Sequence, residues 1–163
     1  MMFRCVQTQC WVRHSPARAR RPVLWQDGVI TDLGSLGGVA GNARAINSHG
    51  QVVGQSTLVS GDVHGFIWEG GEMTDLGTLG GNFSVGDGIN NHGQVVGGSK
   101  VATGEEHAFV WYRGLMTDLN AVISADAGWI VTEATSINSS GEIVGFGIIN
   151  GQTHAILLAP NEE

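Results

Sequence analysis

The chain has 163 residues, 26 of them glycine, with a formal net charge of −7 at neutral pH. That length supports one domain with its own core, and the glycine share is about twice the usual ~7%. Arg4, Arg13, Arg18, Arg20 and Arg21 fall in the first 21 residues, and beyond them three bases face all fifteen acids. Such an acidic body excludes a nucleic-acid partner. No run approaches the ~18 apolar residues of a membrane helix, so membrane insertion is not expected.

Residues 1–21 form a basic N-terminal segment outside any repeat, expected to be disordered. It holds both cysteines, Cys5 and Cys10, which are too few for a disulfide framework. Phe3 to Val12 is interrupted by Arg4, Gln7, Thr8 and Gln9, so no apolar core of a secretory signal is visible.

From residue 22 the chain repeats itself. Asp32-Leu33-Gly34-Ser35-Leu36-Gly37-Gly38 returns 43 residues later as Asp75-Leu76-Gly77-Thr78-Leu79-Gly80-Gly81, and Asp118-Leu119-Asn120 begins a worn third copy. Trp25, Trp68 and Trp111 keep the same spacing, as do Asn47 and Asn90; Asn138 follows after 48 residues, with an insertion over Ala121 to Trp129. A fixed period of this size marks a supersecondary unit that buries its faces against copies of itself. The repeat domain spans 22–160: a partial unit at 22–34, units at 35–76 and 77–119, and a divergent terminal unit at 120–160. Residues 161–163 are a tail.

Within the second unit the pattern predicts strands over Val85 to Asn90, Gln94 to Ser99, His107 to Tyr112 and Leu115 to Leu119. Asn-x-x-Gly turns (Asn47, Asn90, Asn138) and Trp-x-x-Gly turns (Trp25, Trp68, Trp111) punctuate them. Val52-Val53, Val95-Val96 and His107-Ala108-Phe109-Val110-Trp111 place apolar side chains on both faces of a strand, as a sheet covered on both sides requires. The fold class expected is therefore all-β: four-stranded antiparallel meanders of about 43 residues arranged as β-propeller-type blades in an incomplete or open propeller. A β-solenoid is the alternative. With about three units against the 4–8 of closed propellers, self-association through the incomplete ends is an expected route to completion.

These residues resemble the bacterial HAF-repeat family, named for the tripeptide present as His107-Ala108-Phe109 and, altered, as His64-Gly65-Phe66 and His154-Ala155-Ile156. The resemblance covers residues 22–158. It implies probable extracellular repeats of secreted or surface proteins with no established activity. It therefore implies an extracellular or cell-surface location and a fragment of a longer exported protein.

The recurring polar residues have plain structural readings. His64, His107 and His154, one per unit, suit a hydrogen bond at a strand start better than a metal or catalytic centre; WD-repeat propellers use a His with Asp, Ser or Thr, and Trp in this way. Asp32, Asp75 and Asp118 lack a second acid nearby for calcium. They suit backbone N–H acceptance in a glycine-rich turn. Trp25, Trp68 and Trp111 sit at core-type positions, while His49 and His92 belong to exposed turns. Gly37-Gly38 and Gly80-Gly81 lack the context of a nucleotide loop, and Glu105-Glu106 lies in a solvated hairpin. No catalytic, cofactor or metal residue is assigned and no cofactor is expected. The function expected is a non-catalytic module for binding a protein or glycan, or for structural interaction. A carbohydrate-active hydrolase or lyase on a propeller scaffold is the alternative. Such an enzyme would break the repeat with unlike polar residues at equivalent positions, whereas the visible departures concentrate at the chain ends.

Overall fold

The computed structural model describes residues 20–123 and 128–160. The tail at 161–163, most of the segment 1–21 and the middle of the insertion lie outside the described residues. The described chain is all-β: thirteen strands and one 3-10 turn, Leu119–Ala121, with no α-helix.

A hairpin comes first, β1 (Val23–Gln26) and β2 (Val29–Asp32). Two antiparallel meanders follow. The first is β3 (Gly37–Ile46), β4 (Val52–Leu58), β5 (Val63–Glu69) and β6 (Glu72–Gly77); the second is β7 (Gly80–Ile89), β8 (Val95–Val101), β9 (Glu106–Tyr112) and β10 (Leu115–Asp118). A parallel bridge between Val63 and Phe83 joins them into one eight-stranded sheet. The last sheet is β11 (Ile130–Ile137), β12 (Ile143–Ile149) and β13 (Gln152–Leu158). Among the described residues no sheet closes on itself.

Three apolar clusters separate these layers, and adjacent residues of one strand enter different ones. Val52 joins Leu33, Phe66 and Trp68, with Leu24 from the hairpin packed against them. Its neighbour Val53 joins Ile67, Val95, Phe109 and Trp111. Val96, the neighbour of Val95, joins Ala108, Val131, Ile137 and Ile143 of the last sheet. Val52, Val53, Val95, Val96, Phe66 and Phe109 are fully buried, each contributing roughly 1.5–3 kcal/mol of apolar burial. The meanders are thus covered on both faces.

Trp25 departs from the expectation for its position. Trp68 and Trp111 are buried, but Trp25 is half exposed, because among the described residues no layer precedes the hairpin that carries it. The first strand of each meander also begins earlier than its pattern suggests, at Gly80 rather than Val85. The glycine-rich stretch carries no alternating apolar signal, yet it runs beside the next strand. A Cβ on Gly81 would lie 2.7 Å from the Lys100 carbonyl oxygen, and one on Gly38 would lie 2.5 Å from that of Thr57.

The repeated motif is a local hydrogen-bond circuit. The carboxylates of Asp32 and Asp75 accept from the N–H groups of Gly34 and Gly77 at 2.8 and 2.7 Å, and both glycines have positive φ. The hydroxyls of Ser35 and Thr78 donate to the carbonyls of Gly38 and Gly81. Leu36 and Leu79 donate their N–H groups to Ser56 and Ser99, buried on the neighbouring strand.

The turn asparagines link successive layers. Asn90 accepts from the N–H groups of His92 and Gln94, donates to Gln94 Oε1 at 2.7 Å, and donates across to the Asn138 carbonyl at 3.0 Å. Asn47 makes the equivalent set and reaches the Asn90 carbonyl. Asn90 is buried whereas Asn138 is exposed and donates only to Glu142. Truncation of Asn90 leaves several part-buried groups without their partner at once. Asn90→Ala is expected to cost roughly 3 kcal/mol and Asn138→Ala about 1 kcal/mol, measured by urea denaturation; equal losses would show that the inter-layer bond carries no weight.

Candidate functional site

The recurring histidines are placed at the start of β5 and β9, facing the carboxylates that end the following strand. His64 Nδ1 lies 2.9 Å from Asp75 Oδ2, and His107 Nδ1 lies 2.7 Å from Asp118 Oδ2. The same Asp75 and Asp118 carboxylates hold the N–H groups of Gly77 and Asn120. Each pair therefore pins a hairpin to the loop that follows it. Among the described residues His154 has no such partner, its sheet having three strands; its ring meets Trp129 edge-on at 5.7 Å. Asp32 pairs with Arg21 at 3.5 Å instead. Among the described residues no group of three or more His, Cys, Asp or Glu is arranged to hold a metal ion.

Two places carry chemistry that the repeat does not explain. The first lies on the opening strands. Arg44, Asp87 and Thr135 occupy equivalent positions, each the extra residue of a bulge: between Ala43 and Ala45, Gly86 and Gly88, Ala134 and Ser136. The glycine opposite each bulge is obligatory, because a Cβ on Gly97 would sit 1.8 Å from the Val85 carbonyl oxygen. Arg44 Nη1 and Asp87 Oδ1 are 3.0 Å apart, the Asp87 side chain is only 7% exposed, and its Oδ2 is buried without a hydrogen-bond partner. Burial pushes the Asp87 carboxyl up to about 6; Arg44 opposes the rise and Glu133 adds to it. The expectation that departures concentrate at the chain ends is therefore corrected. A search for like residues at the 43-residue spacing passes over Arg44 and Asp87, which share the spacing but carry opposite charges.

The second place is a cleft of about 340 Å³ between the β5–β6 hairpin and the β9–β10 hairpin, at the lower end of the size range of small-ligand sites. Glu69 and Glu72 line one side, Trp111, Tyr112 and Arg113 the other, with Gln51 and His92 from the asparagine turns. Two of its features oppose local stability. Glu69 and Glu72 are directly opposite one another across the hairpin, a like-charge pair that destabilises a sheet. Arg113 takes φ +50° where the two preceding units place Asp27 and Gly70, residues suited to that conformation. Its guanidinium stands 4.9 Å over the Tyr112 ring. Local rules broken around one cavity mark a place where function competes with stability.

No family model matches this chain, and neither a curated protein nor a solved structure matches it.

Asp87 makes stability depend on pH. The folded chain holds this proton up to about pH 6, whereas the unfolded carboxyl releases it near 3.8. Stability from this group is therefore full below about pH 4, falls as pH rises toward 6, and is level above that. The shift corresponds to roughly 3 kcal/mol. Asp87→Asn is expected to remove that decline from the unfolding free energy measured between pH 4 and 6; parallel profiles for the two proteins would refute the assignment.

Proposed function

We propose that this chain is a non-catalytic repeat module of propeller-type blades that works outside the cell or at its surface and binds saccharides in the cleft between the β5–β6 and β9–β10 hairpins. The observation that carries the reading is the pairing of an aromatic wall with planar polar groups at positions where the repeat is broken. Tyr112 offers a ring face for the apolar C–H side of a sugar. Glu69, Glu72, Gln51 and Arg113 offer the acceptors and donors that adjacent hydroxyls need. By contrast, the recurring features of the two full units, the His–Asp pairs and the asparagine bonds, are occupied within the protein. The extracellular setting rests on the resemblance to HAF repeats.

A second reading, a hydrolase or lyase on the same scaffold, draws on Asp87, whose raised carboxyl lies near Glu133. One experiment separates the two. The full chain is screened on a glycan array and assayed for turnover of the glycans it retains. Binding without turnover, lost at least about tenfold in Tyr112→Ala and Glu72→Gln but kept in His64→Ala, is the expected result. Turnover abolished by Asp87→Asn would establish the enzyme instead, and an array without retained glycans would remove the saccharide reading.

Arg113→Gly tests the competition between function and stability directly. Relief of the left-handed strain is expected to raise stability by about 1 kcal/mol while weakening glycan retention. A loss of stability in thermal melts would show that Arg113 is held by packing alone.

A further inference from the structure

The two ends of the layered stack are the two halves of one interface. Inside the chain, Val53 and Ile67 on one face of the first meander pack with Trp111 and Met116 on the facing side of the second. Val96 and Val110 repeat the first half one layer on, against Ile143, Ile156 and Leu158. The last sheet presents the same half again through Val144 and Leu157, which follow Val96 and Val110 at the spacing of the third unit. Among the described residues no layer covers them, and they are 44% and 63% exposed, with Phe146 at 43% beside them. At the other end, Trp25 and Ile30 precede Trp68 and Met73, and these precede Trp111 and Met116, by 43 residues each. Trp68 is buried and Met73 packs against its cluster, while Trp25 and Ile30 are 46% and 57% exposed.

We propose that the Val144–Phe146–Leu157 face of one molecule docks on the Trp25–Ile30 face of a second copy, head to tail, continuing the internal stacking across the molecular boundary. The occupant follows from the repeat. The surface that covers Val53 and Ile67 inside the chain is a Trp and a Met on a two-residue hairpin, and the end that carries the equivalent Trp and Ile is the only other uncovered face of this kind among the described residues. The two faces are different surfaces, so the contact is heterologous and generates a ring or an open fibre rather than a two-fold dimer. Repulsion between chains of net charge −7 opposes it and is screened by salt. The contact lies at the ends of the stack, apart from the cleft, and does not depend on what the cleft binds.

The test uses sedimentation and light scattering on the full chain, with Leu157→Asp to block one face and Ile30→Asp to block the other. Both positions are exposed in the single molecule, and a cooperative melt verifies that each variant is folded. The unaltered chain is expected to assemble beyond the mass of one copy, and more strongly as salt is raised. Each variant alone is expected to be monomeric, its self-association weakened at least about tenfold. An equimolar mixture of the two variants is expected to form pairs and stop there, because each supplies the face the other retains. A chain that stays monomeric at the highest attainable concentration would overturn the proposal. So would assembly lost in one variant and kept in the other, which is the mark of a two-fold contact, or variants that fail to complement on mixing.

Discussion

The central strands β4, β5, β8 and β9 are apolar on both faces, and that constraint governs the rest. A sheet with Val52 on one side and Val53 on the other cannot present either to water without losing several kcal/mol of burial over its length. It must be covered twice, and the units achieve this by lying against one another. The three clusters are accordingly built from the same positions shifted by one unit: Leu33, Leu76 and Leu119 each enter a successive one. Apolar stacking supplies the attraction but little positional definition. The carboxamides of Asn47 and Asn90 fix the register between layers, because each reaches one particular carbonyl of the next turn.

Stacking also explains how the hairpin ends become free to vary. Turns at the periphery contribute little to the clusters, so residues there are limited mainly by backbone conformation. Asp27, Gly70 and Arg113 share one left-handed position with three different residues. The cleft lined by Glu69, Glu72, Tyr112 and Arg113 forms in this tolerant zone, on a frame made rigid by the layers beneath it. Loops held by a rigid scaffold are the usual location of recognition.

Much of this was legible before any coordinates. The period, the all-β character and the two-faced burial follow from spacing and from valine pairs, since side-chain alternation along a strand is a property of the backbone alone. The aspartate and glycine positions of the repeated loop were readable because turn chemistry is local. Three things were not. The early start of β3 and β7 is hidden by glycines that satisfy a close approach to the neighbouring strand, a contact between residues nineteen apart in the chain. The Arg44–Asp87 pair is hidden because equivalent positions usually repeat a residue, and here they oppose charges. The exposure of Trp25 is hidden because a core-type residue in the first described layer carries the same local pattern as its buried counterparts Trp68 and Trp111.

The amino-acid sequence by itself determined the unit: its length, its strands and turns, and the demand that each sheet be covered on both faces, all set by local backbone preference and side-chain alternation. Only the tertiary structure decided which layer meets which, that the carboxyl of Asp87 is buried beside one guanidinium, and that two hairpins leave a cleft between them. Those outcomes depend on distances between residues far apart in the chain, which arise when the layers dock and are written in no single unit.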